Sequence, residues 1–218
     1  LHVVILILLL VQVALAEHGG LQALFLCLAL APLIRVLSLS LPLRQFPIVY
    51  WYLITSVPLF AAVLVAVRSL GYSWQALGLT LRGWPLQLAV GLSGLLIGAA
   101  EYTILRPEPL VPELSLAAVW QPALILLACT GLLEEVVFRG LLQRAAGEAL
   151  GRWGMPYVAL LFAVLHLGYQ SLLDIGLVFL VGLFFGEVVQ RTRSLLGVTL
   201  AHGLTNIMLF LIMPFVLP

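Results

Sequence analysis

From Phe46 to Val67 the chain runs for 22 residues without a charged side chain, and residues 21–39, 85–104, 171–189 and 195–216 are nearly as apolar. Lipid offers a backbone no hydrogen bonds, so runs of this length cross a bilayer only as helices or in a closed barrel. Barrel strands alternate in polarity over about ten residues, whereas these runs are continuous. Composition agrees: 63% of the 218 residues are hydrophobic and 9% charged, with a mean hydropathy of +1.20. A soluble domain carries about 45–50% apolar and about 25% charged residues. The expected fold is all-α, a polytopic helical membrane protein of about eight transmembrane helices enclosing a polar cavity.

The first apolar stretch, residues 1–16, ends Ala14-Leu15-Ala16 in the manner of a signal-peptidase site. It has no basic leading region and further spans follow, so it reads as a first transmembrane helix. Leu1 is no initiator methionine, and a trimmed N-terminus is expected. A turn is expected at residues 17–20, then spans near 21–39, 46–67 and 85–104. Tyr50, Trp51 and Tyr52 open the third span as an interfacial aromatic belt would. Residues 68–84 read as a loop or short helix lying on the membrane surface. The prolines at 107, 109 and 112 break the chain before a fifth helix. This helix starts either at the N-cap Ser115, with a kink at Pro122, or at Pro122 itself. Spans near 156–167, 171–189 and 195–216 complete the eight. Gly94-x-x-x-Gly98 and Gly182-x-x-x-Gly186 predict close helix packing. Residues 1–113, the N-terminal helices, carry no recognisable motif, and residues 114–218 form the motif-bearing core.

Net charge is +1 and no basic run suggests nucleic acid as a partner; the lipid bilayer is the one partner the composition demands. Cys27 and Cys129 both sit in apolar runs and read as buried, inert thiols. The loops after spans three, five and seven hold Arg68, Arg82, Arg144, Arg152, Arg191 and Arg193, and the opposite loops hold Arg35, Arg44 and Arg106. The positive-inside rule makes the first group cytoplasmic, and a cavity near those ends faces the cytoplasm.

Three polar clusters interrupt the apolar helices: Glu134-Glu135 with Arg139, then Phe162 with His166, then His202 with Asn206. A bare charge near a bilayer centre costs from about 2.5 to more than 10 kcal/mol, so such residues mark a functional site by default. Residues four apart share a helix face, which pairs Glu135 with Arg139 and leaves Glu134 without a cation. His202 and Asn206, also four apart, point into one space. Glu134 and His166 suit activation of a water, while His202 and Asn206 carry donors for a developing oxyanion. Glu135 and Arg139 are supporting residues. Glu101 is a second candidate acid, with an interfacial carboxylate as the plainer reading. Phe162 reads as packing, and Thr205 as bonded to its own helix.

Other readings compete. Glu134, His166 and His202 are the ligands available to a Zn²⁺ ion, which would make the chain a metalloendopeptidase. The soluble His-Glu-x-x-His signature is absent, and Ser171 and Ser194 lack a nucleophile-elbow setting. Intramembrane His and Asn also serve as glue between helices, as in a non-catalytic scaffold or immunity factor. A proton-coupled transporter is disfavoured, because no second copy of the motif precedes residue 113.

Glu-Glu-x-x-x-Arg, Phe-x-x-x-His and His-x-x-x-Asn, in this order on successive membrane helices, resemble the CAAX protease and bacteriocin-processing family, also called the Abi family. The likeness covers roughly residues 118–211. It implies an integral-membrane endopeptidase that cuts a peptide bond in a membrane-associated or lipidated peptide or protein. It also implies that Glu134 and His166 activate water while His202 and Asn206 form the oxyanion site. The family's need for a metal is left open.

Overall fold

The computed structural model describes residues 1–17 and 19–217. The turn expected at residues 17–20 includes His18, which lies outside them. Eight helical segments account for most of the chain: α1 (His2–Leu15), α2 (Gly20–Ser40), α3 (Ile48–Ser69), α4 (Trp84–Leu105), α5 (residues 116–150), α6 (Gly154–Val164, extended by a 3-10 turn at Leu165–Tyr169), α7 (Leu172–Thr192) and α8 (Leu196–Val216). The all-helical, polytopic membrane fold is therefore as expected.

The expected count of eight spans is not confirmed: among the described residues, six helical stretches are long and apolar enough to cross a membrane, one of them the 54-residue run Leu116–Tyr169 that holds both α5 and α6. The first helix has 14 residues and none of them is buried. At 1.5 Å per residue it is about 21 Å long, short of a hydrocarbon core of about 30 Å. Residues 116–169 form a single helical run interrupted by a turn at Gly151–Trp153, where Gly151 takes a φ of +58°.

Helix α5 begins at Leu116, with Ser115 as its cap: the Ala118 amide donates to the Ser115 hydroxyl at 3.3 Å. Pro122 is thus an interior residue, and the first of the two expected starts is the right one. Glu134 lies about 27 Å along the helix from this end. Two π-helical stretches, Leu126–Leu132 and Val136–Leu142, bracket the α-helical turn Leu133–Glu135. Wide turns of this kind recur at functional sites, where they re-aim side chains.

Small residues set the packing around the third motif. A Cβ added to Gly94 would overlap the Ala201 carbonyl oxygen, and one added to Gly98 would overlap that of Thr205. On the other side of α8, a Cβ on Gly131 would lie 2.8 Å from the Thr199 oxygen. Glycine faces of α4 and α5 therefore clasp α8 at backbone distance, and this brings the His202 face of α8 against the Glu134 face of α5. Gly182 packs on Ala159 of α6 in the same manner. Gly94→Ala is expected to lower thermal stability in detergent by about 1–3 kcal/mol or more, as overpacking does. Gly176→Ala, with nothing within 4 Å of the new methyl, is the matched control and should leave the melting temperature unchanged.

Residues 70–83 do not form a helix. Leu77 is buried, the Leu195 amide donates to the Gly78 carbonyl at 2.8 Å, and the Ser194 hydroxyl donates to that of Thr80 at 2.8 Å. The segment is pinned to the start of α8 rather than simply resting on lipid. Gly78 has a φ of +90° and no room for a side chain against Leu195, so only glycine fits there. Both cysteines are buried and free.

Candidate active site

Glu135 is the hub of the polar centre. It is fully buried, and its Oε1 accepts from Arg139 Nη1 at 2.9 Å and from His202 Nδ1 at 2.8 Å. The pair expected from the four-residue spacing is thus present, and it also anchors α8 to α5. Arg139 lies with its guanidinium carbon 4.4 Å from the Phe162 ring centroid and 5.6 Å from that of Phe185. A cation over two aromatic faces is stabilised where water cannot reach it. Phe162 also packs edge-on against His202, with centroids 5.9 Å apart, and stands 5.1 Å from His166. Its role is packing, and the packing fixes both imidazoles.

The hydrogen bonds assign the ring protons. A carboxylate only accepts, so His202 Nδ1 carries hydrogen, and Nε2 faces Glu134 Oε2 at 3.9 Å. Donation from Nε2 to an oxyanion then requires the doubly protonated ring. His166 Nδ1 donates to the Phe162 carbonyl at 3.0 Å. A neutral His166 therefore keeps a free lone pair on Nε2, which can take a proton from water.

Asn206 donates from Nδ2 to the Thr130 hydroxyl at 2.8 Å, and that hydroxyl donates in turn to the Leu126 carbonyl. One of the two amide hydrogens is thereby committed, and the other is left for a ligand. Sequence alone does not single out Thr130, although it stands four residues before Glu134, on the same face. Thr205, expected to bond within its own helix, instead donates to the Gly94 carbonyl of α4 at 3.2 Å. The close approach permitted by Gly94 makes that carbonyl the nearer acceptor.

His166, His202 and Asn206 share a cavity of about 30 Å³ with Glu101, Phe162 and Thr205. A site of that size holds a water or two, given polar partners. Glu101, four residues before the end of α4, is 6% exposed and lines this cavity, so it stands among the site residues. Glu134 lies on the neighbouring side, with 30% of its side chain exposed, at a groove of about 250 Å³ between α2 and α3. The same groove is lined by Arg35, Trp51 and Tyr52. Trp51 and Tyr52, at the start of α3, thus also stand beside the acid, with Arg35 of α2 facing the same groove. Their spacing from Glu134 in sequence carries no sign of this.

The six predicted residues thus gather about His202. Glu134 and Glu135 flank its ring, Arg139 binds Glu135, and His166 and Asn206 share its cavity. Among the described residues no three His, Cys, Asp or Glu side chains converge as the ligands of a metal ion do. His202 and His166 each commit Nδ1, to Glu135 and to the Phe162 carbonyl, and keep Nε2 as the atom that could face a water or a metal ion; Glu134 lines the groove beside them. The metalloendopeptidase reading gains no support.

In comparison with known families, residues 115–208 match the type II CAAX prenyl endopeptidase Rce1-like family. That segment contains all three polar motifs and is less than half of the chain. It is the family that the motifs resemble. Searches of curated proteins and of solved structures find no match.

Proposed function

We propose, from the match of residues 115–208 to a family of CAAX prenyl endopeptidases, that this multi-pass membrane protein hydrolyses a peptide bond near the lipidated end of a membrane-associated peptide or protein. The observation that carries the reading is the approach of Glu134 to His202, within 3.9 Å, beside a cavity shared by His202, His166 and Asn206. Residues 114–218 supply the catalytic groups, and the helices before residue 113 build one wall of the groove that admits the chain.

In this mechanism a water enters between the groove and the cavity. Glu134, assisted by His166 Nε2, takes its proton as the oxygen attacks the carbonyl carbon of the scissile amide. The carbonyl oxygen becomes an oxyanion, which accepts from Asn206 Nδ2 and from His202 Nε2 when that ring is doubly protonated. Collapse breaks the C–N bond, and the proton held by Glu134 passes to the departing amine. Glu135 and Arg139 touch no substrate; they hold His202 in its orientation.

The test uses purified full-length protein in nanodiscs with an S-prenylated Cys-aliphatic-aliphatic-X peptide, the released fragment being read by mass spectrometry. Cleavage between the lipidated cysteine and the next residue is the expected result, and it should survive prolonged dialysis against a chelator. Turnover lost on chelation and restored by Zn²⁺ would overturn the metal-free mechanism. No cleavage of any lipidated peptide would favour a scaffold held together by its polar core.

A further inference from the structure

Ten arginines are present. Eight are exposed, and Arg139 is buried against Glu135. Arg35 alone is half-buried with no ion pair and no side-chain hydrogen bond among the described residues. Gly20, the first residue of α2, packs on the backbone of Glu148 and Ala149 near the end of α5. Counting 1.5 Å per residue back along the two antiparallel helices, Arg35 is about 22 Å from that contact and Glu134 about 21 Å. The two are level, and Arg35 is about 8 Å from the other end of α2 at Ser40. An unpaired guanidinium within a membrane-spanning helix, level with a site acid, is a candidate for binding an anion.

The guanidinium also has a direction. A Cβ on Gly168 would lie 3.9 Å from Arg35 Nη2, so the side chain reaches the 3-10 turn that carries His166. It lines the groove with Glu134, Trp51, Tyr52 and Thr55. The groove therefore offers an acid that activates water, a cation at the same depth, and aromatic and hydroxyl side chains alongside. An extended peptide lying in it meets both charged groups, and a volume of about 250 Å³ admits only a short piece.

We infer that Arg35 binds the free C-terminal carboxylate of the peptide whose amide bond is cut at Glu134. A guanidinium takes a carboxylate through two parallel hydrogen bonds, the geometry that best offsets its burial. The inference rests on the hydrolytic reading above. The same chemistry would accept a lipid phosphate, so the experiment separates the two sources.

Matched lipidated peptides ending in a free acid or in a carboxamide are compared, in nanodiscs of neutral and of anionic lipid. Wild type should favour the acid by about tenfold or more in kcat/KM, chiefly through KM. In Arg35→Ala the two forms become equivalent, and Arg35→Lys keeps part of the preference. A parallel binding measurement uses Glu134→Gln, with displacement of a fluorescent peptide as its readout. Glu134→Gln should bind the acid more tightly than the amide, and Glu134→Gln/Arg35→Ala should bind them alike. Binding discrimination without cleavage would uphold Arg35 as the carboxylate site while sinking the hydrolytic reading. A preference that survives Arg35→Ala would overturn the inference. So would an Arg35 effect that follows anionic lipid content equally for both peptides.

Discussion

Glu134→Gln is expected to lower turnover by about 10²–10⁴-fold, the range that a positioned general base contributes. Glutamine keeps the shape and can neither take nor return a proton. The fold should not notice: the Glu134 carboxylate accepts no hydrogen bond within the described residues, it lies 3.9 Å from His202 Nε2, and 30% of the side chain is exposed. The melting temperature in detergent should stay within the error of wild type while the single-turnover rate collapses. Retained turnover in this variant would place the chemistry elsewhere. Equal loss of stability and rate would instead demote Glu134 to a strut.

Arg139→Leu is the counterpart, expected to cost about 3–5 kcal/mol of stability. Arg139 and Glu135 are 3% and 0% exposed and pair at 2.9 Å. Removing the cation leaves a carboxylate uncompensated in a dry interior, and breaking a buried pair from one side is far worse than replacing both partners. The double variant Glu135→Leu/Arg139→Leu should therefore recover much of the lost stability, as read by thermal unfolding in detergent. Its activity should not return, because His202 has lost the acceptor that holds Nδ1. Stability regained without turnover would separate what the pair does for the fold from what it does for the reaction. A double variant no more stable than Arg139→Leu would mean that the ion pair is not what the helix depends on.

The parts of this arrangement that could be read from the chain are those governed by helical periodicity. Glu135 and Arg139 are four apart and bond within one helix. Gly94 and Gly98 face α8 as their spacing foretold, and Ser115 caps α5. Contacts between helices were hidden, since spacing on one helix says nothing of rotation about its neighbour. Thr130 with Asn206, Thr205 with Gly94, and Glu101 beside the imidazoles belong to this class. That Arg35 and Tyr52 share a groove with Glu134 was hidden too, because hydropathy assigns depth and not direction. The turn at Gly151–Trp153 and the separate helix after it were legible, because glycine and arginine interrupt the apolar signal there.

The two π-helical stretches around Leu133–Glu135 have a consequence for how such a sequence can vary. Each wide turn holds a residue more than an α-helix needs to span the same rise. Shedding that residue would tighten the coil and swing everything beyond it by about 100° relative to its neighbours. A deletion there is thus a rotation: the acid would be turned from its imidazole with every residue identity preserved. In this helix, chain length between the threonine and the arginine is itself under constraint, as much as the letters that fill it.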